Sequence, residues 1–87
     1  MNRYINRSRK ESGCSRESEI LGVCGDFGYL PKQQVHDDIK AGSWIYFSRA
    51  PGVPDARVHA RGEGPNRYIQ TEADGKAANN LVHLPDC

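Results

Sequence analysis

Apolar residues in this chain come mostly in short runs, and the spacing changes to a helical one only once. The run EILGVCG, residues 19–25, is apolar and ends in Gly-Asp, which reads as a strand. Its Gly22 marks a bulge or a close backbone approach. WIYFS, residues 44–48, is the strongest strand pattern in the chain. ARVHAR, residues 56–61, alternates cleanly, and RYIQT makes a further strand after the turn GEGPN. A weaker pattern over residues 4–8 predicts a first strand, followed by a polar loop or wide hairpin connection over 10–19. Val35 and Ile39 share a face at i, i+4, Pro31 suits a first helical turn and Gly42 a C-terminal cap, so residues 31–41 are expected as a helix. Leu30 is positioned to pack back on that face, with Lys32, Asp37, Asp38 and Lys40 toward water. The order is β-β-α-β-β-β with an extended tail. It predicts an α+β fold: a small, mostly antiparallel sheet, one helix on one face, and the C-terminal tail clasping the core.

Alternation then assigns faces. If Ile45, Phe47 and Val58 meet the helix, Trp44, Tyr46, Arg57, His59 and Arg61 share the open face, and Arg67 is expected to join them. A chain of 87 residues buries only roughly 60–65% of its unfolded surface, so it is expected to form a single domain, residues 1–87, with a small core. The net charge of +1 supplies no global pull toward nucleic acid or membrane. Locally, Arg3, Arg7, Arg9, Lys10 and Arg16 make residues 1–16 basic, expected as a flexible, partly disordered arm or a guarded edge strand. No apolar run has the length of a signal core or membrane span, which points to a cytoplasmic chain. With an odd count of three cysteines at irregular spacing, free thiols are the expectation.

The tail NNLVHLPDC raises the question of why a polar end carries Leu81, Val82, Leu84 and a final cysteine. As a structural strap, Asn79 and Asn80 bond neighbouring turns, Leu81 and Leu84 plug the core, Pro85 stiffens the exit and Cys87 completes the cluster. The run YIQTEADGKAANNLVHLPDC resembles the end of a family of small bacterial domains, domain of unknown function 3892, through Tyr68, Thr71, Asp74, Gly75, Asn79, Asn80, Leu81, Leu84, Pro85 and Cys87. ILGVCGD and IKAGSWIYF are similar to its upstream pattern, so the resemblance covers most of residues 19–87. Cys24 stands where that pattern has a glycine, and the basic N-terminal stretch has no counterpart. The resemblance implies a shared compact fold and carries no activity.

Other chemistry reads weakly. His83 and Cys87, four apart, have a chelating spacing, yet no C-x-x-C accompanies them and no metal site or cofactor is expected. Asp86 and the terminal carboxylate beside Cys87 discourage a thiolate, and no third group completes a Cys–His pair. Asp37 and Asp38, adjacent on a helix, diverge by about 100°. GDFGYLP lacks a phosphate-loop pattern. The expected function is therefore a non-enzymatic interaction module that holds a protein partner on the open sheet face, through aromatic anchors and arginines. The alternative is weak nucleic-acid binding by the same face and the basic N-terminus. A third, blander reading has the arginines simply solvating the face and covering its rings.

Overall fold

In the computed structural model, residues 1–11, 13, 16–72 and 80–87 are described. Strands β1 (Asn2–Arg9), β2 (Gly22–Gly25) and β3 (Gly28–Pro31) precede helix α1 (Lys32–Ala41). Strands β4 (Ile45–Ser48), β5 (Ala56–Arg61) and β6 (Tyr68–Thr71) follow it. They form one six-stranded sheet in the order β3-β2-β1-β4-β5-β6. Neighbours are antiparallel except β1 and β4, which run parallel, so the sheet is mixed and mostly antiparallel. A parallel pair needs a crossover, and the β2–β3 hairpin with α1 supplies it.

Two expectations are corrected here. The basic N-terminal stretch is neither an arm nor an edge strand: β1 lies inside the sheet between β2 and β4. An additional strand, β3, stands between the predicted second strand and the helix. Its four residues are too few to show a period, and they run directly into the helix. Gly28, at φ 89°, follows the Asp26-Phe27 turn and lets the hairpin close tightly.

The helix starts one residue later than expected, with Pro31 as its N-cap. It ends on Gly42 in the left-handed region, at φ 75°. Val35 is buried, Ile39 packs on the core, and His36, only 5% exposed, joins the same buried stripe. Its Nε2 donates to the Gly62 carbonyl at 3.0 Å, so the polar ring is satisfied where it meets the sheet. Asp38 does not face water as predicted; its carboxylate turns inward, onto the Tyr46 hydroxyl.

The core is built from Ile5, Ile20, Val23, Val35, Tyr46, Val58, Ile69, Leu81 and Leu84, with Phe27, Leu30, Ile39 and Trp44 packed against it. A Cβ at Gly22 would stand 2.6 Å from the Leu30 carbonyl oxygen, which is why β2 and β3 pair closely only with glycine there.

The last residues run beside β1. The Ser8 N–H donates to the Pro85 carbonyl at 3.0 Å, and the Cys87 N–H donates to the Ser8 carbonyl at 3.2 Å. The Asn80 side chain accepts from the Val82 N–H at 2.9 Å. Lys10 Nζ donates to the Leu84 carbonyl and the Ser8 hydroxyl, both at 2.8 Å, and meets Asp86 at 2.8 Å. Asn79 lies outside the described residues. Cys24 and Cys87 are joined by a disulfide across 63 positions, with Cα atoms 6.4 Å apart. This corrects the expectation of free thiols for Cys24 and Cys87, while Cys14 lies outside the described residues: the fold brings the tail end beside β2, a proximity that irregular spacing cannot express.

Candidate functional site

Strand register decides which side chains share the face opposite the helix. Phe47 pairs with Arg57 and Tyr4 pairs with Phe47, so these three side chains stand on one face. Val58, next to Arg57, is buried beneath the helix, which places Arg57, His59 and Arg61 on the open side. Gln70 pairs with His59 and Tyr68 with Arg61, adding both to that face.

Trp44 and Tyr46 are not there, contrary to expectation. Tyr46 is 0% exposed. Its hydroxyl donates to Asp38 at 2.7 Å and accepts from Arg3 Nη1 at 2.7 Å. Burial, helped by the Asp38 carboxylate, pushes the phenol up to about 12. Trp44 takes the same side of β4, with the Arg3 guanidinium 3.7 Å from its ring centroid. Hydrophobicity alone would send Phe47 inward and Tyr46 outward. The polar tip of Tyr46 reverses that choice because α1 and β1 hold partners for it. Arg67 is corrected for a related reason. Its Nη1 donates to both Asp37 oxygens at 2.7 Å and its Nε to the Gly64 carbonyl at 2.8 Å, so it ties β6 to the helix. Arg67, with His36, holds the Asp37 carboxyl below the usual carboxylate range.

The first strand contributes what sequence reasoning missed. Ile5 pairs with Gly25 but Arg7 with Cys24, leaving Asn6 as an extra residue in a bulge. Ile5 and Ser8, three apart, are therefore both buried on the helix side. Arg7 and Arg9 consequently turn to the open face with Tyr4. Strict alternation would have put them with Arg3. On the open face Tyr4 stacks on Phe47 at 5.7 Å. Arg49 lies 3.9 Å over Tyr4 and pairs with Asp55 through two bonds, 3.0 and 2.9 Å. That pair lowers the Asp55 pKa. Arg9 stands 5.1 Å from the ring of Tyr29, itself 43% exposed.

The cations differ in their partners. Arg3, Lys10 and Arg67 each meet a carboxylate: Asp38, Asp86 and Asp37. Among the described residues, Arg7, Arg57 and Arg61 make no ion pair. Arg61 Nε reaches only Gln70, at 3.3 Å. The open face thus presents unneutralised guanidinium groups around a Tyr4–Phe47 apolar patch. Among the described residues, no three His, Cys, Asp or Glu side chains gather as a metal would require, and no helix is long and apolar enough to cross a membrane.

A second unanticipated residue is Glu17, only 9% exposed. Its Oε2 accepts from the Thr71 N–H at 3.0 Å, the Thr71 hydroxyl at 2.7 Å and the Leu81 N–H at 3.1 Å. One carboxylate oxygen thereby joins the loop after β1, the end of β6 and the tail. Nothing local in a polar stretch distinguishes Glu17 from its neighbour Glu19.

No curated protein and no solved structure matches the chain. A family model described as a protein of unknown function, DUF3892, matches residues 15–85, and the chain therefore belongs to that family.

Proposed function

We propose that this chain is a non-enzymatic interaction module whose open sheet face holds a protein partner bearing acidic groups. The observation that carries this reading is the group of arginines without an ion pair on the open face. Arg3 and Arg67, on the helix side, are ion-paired, whereas Arg7, Arg57 and Arg61 on the open face make no ion pair among the described residues. Phe47 and Tyr4 supply the apolar centre, and the arginines supply fork-shaped donors for carboxylates.

Nucleic acid is the second reading. It gains from the bulge, which adds Arg7 and Arg9 to the same face. It loses because Tyr4 is already covered by Arg49 and stacked on Phe47, leaving less ring for bases. An amide NMR titration separates the two, using a glutamate-rich peptide containing tyrosine and a single-stranded oligonucleotide, each at low and physiological salt. Shifts on Phe47, Arg57, His59 and Arg61 that persist with the peptide at physiological salt support the protein reading. Shifts made only by the oligonucleotide, fading steeply with salt, transfer the face to nucleic acid. Unmoved spectra with both remove both readings.

We also propose that the tail acts as a clasp. Support comes from the burial of Leu81 and Leu84 and from the bonds of Ser8, Lys10 and Glu17 to residues 81–87. Deleting residues 81–87 is expected to abolish the cooperative thermal transition. A deletion that melts like the full chain overturns the clasp.

A further inference from the structure

A cleft of about 310 Å3 lies where β1 begins, lined by Asn2, Arg3, Tyr4, Asp26, Phe27 and Trp44. It opens because β2 pairs with β1 only from Ile5 onward, so the β2–β3 turn stands off from the first residues of β1. Its size is at the small end of ligand sites, roughly 300–1,000 Å3. Its walls are aromatic, and its charges are of opposite sign, Arg3 and Asp26.

Arg3 is held in place before any ligand arrives. Its guanidinium stacks on Trp44 at 3.7 Å and its Nη1 donates to the Tyr46 hydroxyl at 2.7 Å. Asp38, 3.7 Å away, adds a charge partner on the same nitrogen. Nε and Nη2 have no acceptor among the described residues, so two donors of a fixed fork remain for a carboxylate. Phe27 is braced edge-on against Tyr46 at 5.9 Å. Asp26 is exposed in the turn and has no ion pair among the described residues.

We propose that this cleft binds an α-amino acid with an aromatic side chain. The ring packs between Phe27 and Trp44, the carboxylate accepts from Arg3, and the ammonium group meets Asp26. This site is separate from the open-face interaction and does not depend on it.

Trp44 is the chain's single tryptophan, so its emission reports on the cleft. Excited where phenylalanine does not absorb, it should change saturably with L-phenylalanine. 3-Phenylpropionate lacks the ammonium, phenethylamine lacks the carboxylate and glycine lacks the ring; each should bind at least about tenfold more weakly, as expected when a charge-assisted hydrogen bond or the ring burial is lost. Asp26→Asn, in an exposed turn, should lose the preference for L-phenylalanine over 3-phenylpropionate while keeping the affinity for 3-phenylpropionate or improving it. A merely structural role for Asp26 would not remove that preference while sparing 3-phenylpropionate. No saturable change with L-phenylalanine, equal titration by all four compounds, or an unchanged preference in Asp26→Asn would each overturn the proposal.

Discussion

Single side chains decide several features that composition hides. Glu17→Ala would leave three donors facing its site without their acceptor. We expect a loss of about 2–4 kcal/mol by urea denaturation, in line with orphaned buried donors. Tyr46 sets an alkaline limit. Its pKa rises from 10.0 to about 12 on folding, so between those values the folded state holds more protons than the unfolded one. Stability is therefore fully present below about pH 10 and falls as pH rises toward 12. Tyr46→Phe should flatten that part of the stability–pH curve, and an unchanged slope would assign it elsewhere. The departure at Cys24 also acquires a reason at this scale: the residue that replaces the family-like glycine is the disulfide partner of Cys87.

Among the elements, the first strand is the most instructive. The bulge at Asn6 allows Ile5 and Ser8 to face the helix together and sends Arg7 and Arg9 outward. Deleting Asn6 should regularise the ladder without changing either face, because Ile5 in, Arg7 out and Ser8 in is then a simple alternation. The variant should fold, with a cost no greater than about 2 kcal/mol. Deleting Tyr4 instead shifts Arg3 against its partners Tyr46 and Trp44 and should prevent folding. Circular dichroism melts of the two deletions check the contrast. The helix was readable because its signals are local: Val35 and Ile39 at one spacing, Pro31 before and Gly42 after. The β3 strand was not, because four residues between a turn and a helix carry no period of their own.

For the molecule as a whole, a disulfide between β2 and the final residue closes most of the chain, 63 positions. The chain-entropy account of such a loop predicts about 4 kcal/mol of stabilisation. Reduction by dithiothreitol, or Cys87→Ser in the unreduced protein, should lower the midpoint of urea denaturation, with a fall in unfolding free energy of comparable size. Alkylation before and after reduction should show two additional reactive thiols. If the midpoint is indifferent to reductant, the bond contributes nothing to the folded state. At this scale too, the near-neutral net charge of +1 is misleading. It hides a sheet face on which Arg7, Arg57 and Arg61 make no ion pair among the described residues, and that local excess presents a field to a partner.

Legible in the sequence were the α+β class, the helix with its C-terminal end at Gly42, the alternating strand 56–61 with Arg57, His59 and Arg61 on one side, and the family. These follow from periodicity and short-range chemistry, which act within a few residues. The mixed sheet order, the central position of β1, the inward turn of Tyr46, the pairing of Arg67 with Asp37, the three-way role of Glu17 and the Cys24–Cys87 bond emerge only in the folded molecule. Each of these depends on groups far apart in the chain meeting across strands or layers. A one-residue change of register is enough to exchange the faces, and no local pattern records which register wins.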